Sequence, residues 1–179
     1  MVARGTYSGP EDCNCLAVRQ AARHITRFYD QLLAPSGLRT SQFSMLAKLR
    51  RLGPMTINAL AAEMVMDRTT LGRNILPLER DGLIAVEQGS RDRRSKELRV
   101  TAAGEARFRD GMKGWAHAQR QFEKAFGAKR TADMRVLLHA VAATELGTHA
   151  ASALEIIKLP RPPYRSRSLR EWVPATGEW

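Results

Sequence analysis

Two clusters of arginine hold the side chains of this 179-residue chain best suited to chemistry. One is Arg91-Asp92-Arg93-Arg94, inside a polar run between two short stretches of alternating polarity. The other is Arg68-Thr69-Thr70, followed by Arg73-Asn74. Guanidinium forks match phosphate oxygens and the O6/N7 edge of guanine. Asparagine matches adenine in the same bidentate way, and threonine meets phosphate with its hydroxyl and the thymine methyl with its carbon. Leu71, Ile75 and Leu78 recur at helical spacing, so a helix that buries them turns Thr69, Arg73 and Arg80 outward. Thr70 and Asn74 flank that face, and Arg68 sits in the first turn. The chemistry implied is recognition of duplex DNA. Asp92 repels phosphate if left alone, so the reading gives it an ion pair that orients a neighbouring arginine.

Catalysis has little to work with. His24, His117, His139 and His149 show no metal-ligand spacing, and no Gly-rich phosphate loop, nucleophile elbow or paired-carboxylate motif occurs. An enzyme is therefore not expected, and neither is a cofactor or a metal. Cys13 and Cys15 are too few for a disulfide framework or a four-ligand zinc site and read as free thiols. No run approaches the roughly 18 apolar residues that span a bilayer, and the first residues lack the apolar centre of a secretory signal. The expected location is the cytoplasm, with no membrane partner. Lys and Arg outnumber Asp and Glu by 29 to 18, a net charge of +11 that favours a polyanionic partner.

The elements that must position the arginines follow from periodicity. Residues 1–12 carry no apolar period and read as a flexible N-terminus. Val18, Ala22, Ile25, Tyr29 and Leu32 predict a helix from about Cys13 to Ala34, ended by Pro35 and Gly37. A second helix, capped by Thr40 or Ser41, buries Phe43, Leu46, Leu49 and Leu52 and stops at Gly53-Pro54. A third begins at Thr56, with Ile57, Leu60, Ala61 and Met64 inward. Asp67 caps the fourth, Gly82 ends it, and Pro77 inside it predicts a kink. Ile84 and Val86 pair with Leu98 and Val100 as the single strand pair, a hairpin wing. Thr101 caps a long helix whose seam is Phe108, Met112, Trp115, Gln119, Phe122 and Phe126. Thr131 caps a last helix burying Met134, Leu137, Leu138 and Val141. From Lys158 the chain turns Pro/Arg-rich, a tail read as partly disordered or laid over a partner.

This order resembles the MarR family of winged helix-turn-helix transcriptional regulators. The signature is Asp92-x-Arg94, five residues, then Val100-Thr101. With it come the Thr56–Gly82 helix pair, the LERDGLI run at Leu78–Ile84 and the flanking helices, from about Cys13 to Ala150. The resemblance implies a mainly α fold with a small β-hairpin wing, and homodimers that usually repress and release DNA on binding small, often phenolic ligands or on thiol oxidation. Arg94 matches the wing arginine that enters the minor groove and Asp92 the acid that orients it. The implied division is a flexible 1–12, a dimerisation helix at 13–37, a DNA-binding domain at 38–100, dimerisation helices at 101–150 and a basic tail at 151–179.

The end helices carry more apolar surface than a small winged-helix core absorbs, so a two-fold dimer is expected. It would set two reading helices about one turn of DNA apart on a pseudo-palindrome. Two signals are weighed. A small-molecule effector would sit where the first, second and long helices meet, lined by His24, Phe28, Phe43 and Trp115. Alternatively Cys15, near a helix start where the dipole favours thiolate, would react with peroxide. Cys15 and Tyr29 match positions of the organic-hydroperoxide-responsive branch, whereas Arg19 and Leu16 stand where that branch has aromatic residues. A sequence-blind architectural DNA protein is the further alternative.

Overall fold

The computed structural model describes residues 9–89 and 95–145. The chain divides after Ala142, and the core, the sheet and the cavities described here belong to the first unit. Six helices occur among the described residues: α1 (Asn14–Leu33), α2 (Thr40–Leu52), α3 (Ile57–Glu63), α4 (Arg68–Arg80), α5 (Ala102–Phe126) and α6 (Ala128–Ala143). The strands are β1 (Met55–Thr56), β2 (Ile84–Gln88) and β3 (Lys96–Val100), antiparallel in the order β1-β3-β2. Strands β2 and β3 form the expected hairpin, and its register sets Ile84 opposite Val100 and Val86 opposite Leu98. The third strand was not expected. Met55 pairs with Leu98, but two residues are too few to show a period.

One apolar core joins these pieces. Leu33 of α1, Met45 and Leu46 of α2, Leu60 of α3 and Leu71 and Leu78 of α4 are essentially without solvent contact. Phe43 stacks on Phe108 of α5 with centroids 4.7 Å apart. The long α5 approaches its neighbours closely at glycines. A Cβ at Gly104 would collide with the Leu83 carbonyl, and one at Gly114 with the Leu32 carbonyl.

Several expectations are corrected. Arg39, not Thr40 or Ser41, is the N-cap of α2. The Gln42 side chain accepts the Arg39 N–H at 2.9 Å, while Thr40 donates both its N–H and its hydroxyl to Asp30 at 2.7 Å. Thr40 is thereby used to join α2 to α1 rather than to cap. Thr131 lies inside α6, buried, its hydroxyl bonded to the Gly127 carbonyl at 2.9 Å. Residues 10–12 form a 3-10 turn, and residues 1–8 of the expected flexible N-terminus lie outside the described residues. Leu52 is 45% exposed because α2 ends there, past the last turn that faces the core. Leu137, Leu138 and Val141 are also exposed. The apolar residues of α6 are spread around the helix, so no single face could bury them within one chain.

Candidate nucleic-acid interface

The placement of α4 begins with Asp67. Its carboxylate accepts the Thr70 N–H at 2.8 Å, closing the free end of the helix. The hydrogen bonds from Thr70, side chain first and then backbone, hold the Asp67 carboxyl below its ordinary range. The turn before it is tight. Met66 N–H reaches the Ala61 carbonyl at 2.9 Å, and Val65 takes a left-handed φ of 51°, unusual for a β-branched residue. Thr56 caps α3 by accepting the Ala59 N–H at 3.2 Å. Two capped helices across a short turn, with Leu60, Leu71, Ile75 and Leu78 beneath, fix the exposed face of α4 in space.

That face presents Arg68, Thr69, Thr70 and Arg73, all exposed. Asn74 is half-buried and its side-chain amide donates to the Thr70 carbonyl at 2.8 Å, so part of its bonding capacity is already used. Neither Arg68 nor Arg73 forms an ion pair among the described residues. Arg50, Arg80 and Arg99 do, with Glu105, Asp81 and Glu87 at 2.6, 3.0 and 2.9 Å. Unpaired guanidiniums on a rigid helix remain available to an external anion. Helix α4 runs without interruption to Arg80 across Pro77.

Strands β2 and β3 lead to the wing tip, and Gly89 N–H closes on the Ser95 carbonyl at 2.9 Å. Arg91, Asp92, Arg93 and Arg94 lie outside the described residues. At the base, the Thr101 hydroxyl donates to the Gly82 carbonyl at 2.6 Å while accepting the Gly104 N–H at 3.1 Å. One side chain thus links the end of α4, the wing and the start of α5.

The residues proposed for effector binding do not converge. Phe43 and Trp115 line a cavity of about 770 Å³ between α1, α2 and α5, with Tyr29, Lys48, Arg51 and His139 also in its wall. His24 and Phe28 line a separate cavity of about 490 Å³ with Phe122, Phe126 and Met134. Helical rotation explains the split: His24 and Phe28 line the cavity at the far end of α5, Tyr29 lines the larger one, and Ile25 between them borders both. Tyr29 donates to Gln119 at 3.0 Å, and burial raises its phenol above the ordinary tyrosine range. Cys13 caps α1 and Cys15 lies in its first turn, and both thiols are free and exposed.

Comparison with known proteins decides the family. The MarR family model matches residues 38–96. The transcriptional regulator MosR of Mycobacterium tuberculosis, solved in complex with DNA, is 36% identical, with 75% of this chain and 100% of that chain covered at a TM-score of 0.64. The HTH-type regulator YwoH of Bacillus subtilis is 33% identical over 93 residues, 52% of this chain and 67% of that protein. BpsR of Bordetella bronchiseptica, whose DNA binding is regulated by 6-hydroxynicotinic acid, shares the fold at 20% identity, with 79% of this chain and 100% of that chain covered at a TM-score of 0.69.

The chain belongs to the MarR family.

As a MarR-family protein it is a winged-helix DNA-binding transcriptional regulator, not an enzyme. No helix among the described residues is long and apolar enough to cross a membrane. Sequence reasoning did not single out Lys48 and Arg51 in the wall of the larger cavity, nor Arg39 beside α4. Ser44, Lys48 and Arg51 sit three and four residues apart, a polar edge along α2 that a helical wheel would have displayed.

Proposed function

We propose that this MarR-family protein represses transcription by holding a pseudo-palindromic operator, and that a small aromatic effector releases it. In this reading residues 38–100 bind DNA, residues 13–37 and 101–150 make the dimer, and the protein acts in the cytoplasm. Arg68, Thr69, Thr70 and Arg73 enter the major groove, with Asn74 alongside. Arg94, oriented by Asp92 and flanked by Arg91 and Arg93, enters the minor groove, where a narrow groove concentrates negative potential. The observation that carries the reading is the capped, core-anchored α4 with unpaired Arg68 and Arg73 on its exposed face.

For the effector, the supporting feature is the larger cavity. Phe43, Phe108 and Trp115 offer aromatic walls, and Arg51 offers a cation that suits a carboxylate or phenolate, beside Lys48, which is paired with Glu63 at 2.8 Å. That 6-hydroxynicotinic acid regulates BpsR agrees in chemistry with such a ligand. The cavity touches α1, α2 and α5 together, so a ligand there would change how the reading head is carried on the dimer helices.

The test is selection of duplexes from a randomised pool, followed by binding titrations. A consensus with two-fold symmetry is expected, Arg73→Ala is expected to relax base preference at one position of each half-site, and Arg94→Ala to weaken binding and flatten its salt dependence. Equal affinity for all duplexes would leave only a sequence-blind architectural role.

The exposed thiols at the start of α1 favour a second reading, a peroxide-responsive regulator. The Cys15 thiolate would take an oxygen from a hydroperoxide to become sulfenic acid, with the alcohol leaving. Tyr29, bonded here to Gln119 of the same chain, would have to give up that partner to assist. Loss of DNA binding on hydroperoxide addition, abolished by Cys15→Ser, distinguishes it from the ligand reading.

A further inference from the structure

The start of α2 faces the C-terminal half of α4 across a polar cleft of about 350 Å³. Gly37 and Arg39 stand on one side, and Arg73, Asn74, Arg80 and Asp81 on the other. Three guanidiniums there meet one carboxylate, and Asp81 is already bonded to Arg80 at 3.0 Å. Arg39 and Arg73 have no ion pair among the described residues.

The backbone under Arg39 is held from several directions. Its own N–H is bound to Gln42 at 2.9 Å. Thr40 makes two 2.7 Å bonds to Asp30 of α1, and the Ser36 carbonyl accepts from Arg107 of α5 at 3.2 Å. The guanidinium itself is exposed. An unpaired guanidinium on a fixed backbone is free to form charge-assisted hydrogen bonds to an external anion. The cleft is also continuous with the reading face, because Arg73 belongs to both.

We propose that this cleft seats one backbone phosphate of the duplex, and that Arg39 is the positioning residue that grips it beside Arg73. The inference rests on the DNA-reading role of α4 proposed above. A phosphodiester fits the excess charge, and a phosphate lining the groove that α4 enters lies next to Arg73. The contact sets the register and tilt of α4 in the groove without reading a base. Arg39 comes from an element outside the helix-turn-helix, so it also ties the angle of α4 to α1 and α5.

The experiment uses the full-length protein and a duplex that the wild-type protein selects from a randomised pool, with affinities measured across a salt series. Arg39→Ala is expected to bind on the order of tenfold more weakly, with a log K against log salt slope shallower by about one per protomer. The loss is expected to be equal on the selected duplex and on a scrambled one, with an unchanged consensus. Arg39→Lys keeps the slope, because the charge stays. Arg27→Ala, in preparations whose sedimentation matches that of the wild type, removes the same charge from the exposed face of α1 and leaves the slope unchanged. Arg39→Gln repeats the Ala result should the shorter side chain disturb folding. An unaltered slope in Arg39→Ala and Arg39→Gln, an equal change in Arg27→Ala, or a shifted consensus overturns the inference while leaving the reading role of α4 intact. A wild-type protein that ignores every duplex overturns both.

Discussion

Asp67 shows how one side chain can set both the stability and the function of a reading head. It accepts the Thr70 N–H, and Thr69 and Thr70 are the residues it thereby places on the exposed start of α4. Its carboxyl is held below the ordinary value by those bonds, so the folded state favours the charged form. The sign follows. The stabilisation is complete above the unfolded carboxyl value of 3.8 and disappears as pH falls through the lower folded value. Asp67→Ala is expected to melt at lower temperature than wild type at neutral pH, with the gap closing in acid below that range, and to lose operator affinity. A melting gap that persists unchanged in acid would mean the cap acts through something other than its charge. This cap was legible in the sequence, because an aspartate directly before an apolar period is a local signal. Arg39 was not, because its significance lies in a cleft formed with residues more than thirty positions away. The same limit separated His24 and Phe28 from Phe43 and Trp115: helical spacing gave the faces of α1, but not which neighbour each face meets.

Helices obey two different rules about glycine here. In α4, a Cβ at Gly72 would stand 3.9 Å from Ile57 Cδ1, ordinary contact. Gly72→Ala is expected to stabilise by about 0.5–1 kcal/mol, by reducing the entropy of the unfolded chain without a clash. In α5, a Cβ at Gly114 would meet the Leu32 carbonyl, which is backbone and cannot rotate away. Gly114→Ala is expected to destabilise by about 1–3 kcal/mol by forcing α1 and α5 apart. Urea unfolding of the two variants measures both, and equal effects in the same direction would contradict the close approach of α1 to α5. Helix α4 and the two hairpin strands came straight from the periodicity of Leu71, Ile75 and Leu78 and of Ile84 and Val86. Strand β1 and the true start of α6 did not. A two-residue strand exists only because Leu98 lies beside it, and Thr131 looks like a cap until Gly127 is seen to turn the chain four residues earlier.

At the scale of the whole molecule, the exposed apolar surface of α6 is where the proposed dimer can be tested. Leu137 is 66% exposed and Val141 55%, and Leu16 and Val18 of α1 are exposed as well. Residues 137 and 141 lie one turn apart on one face of α6, and neither belongs to the core of the single chain. Charging them therefore tests assembly separately from folding. The double variant Leu137→Glu/Val141→Glu is expected to sediment as a monomer with undiminished helical content. A monomer engages one half-site at a time, so affinity for the full operator is expected to fall by a factor of about 10² or more, as the second head no longer binds from a tethered position. Affinity for an isolated half-site is expected to stay nearly unchanged, because α4 and its Asp67 cap are untouched. If the double variant remained dimeric, the shared surface would have to run through Leu16 and Val18 of α1 and the Phe122–Phe126 end of α5 without α6. The spread of apolar residues around α6 would then be left without the buried environment that such a helix requires.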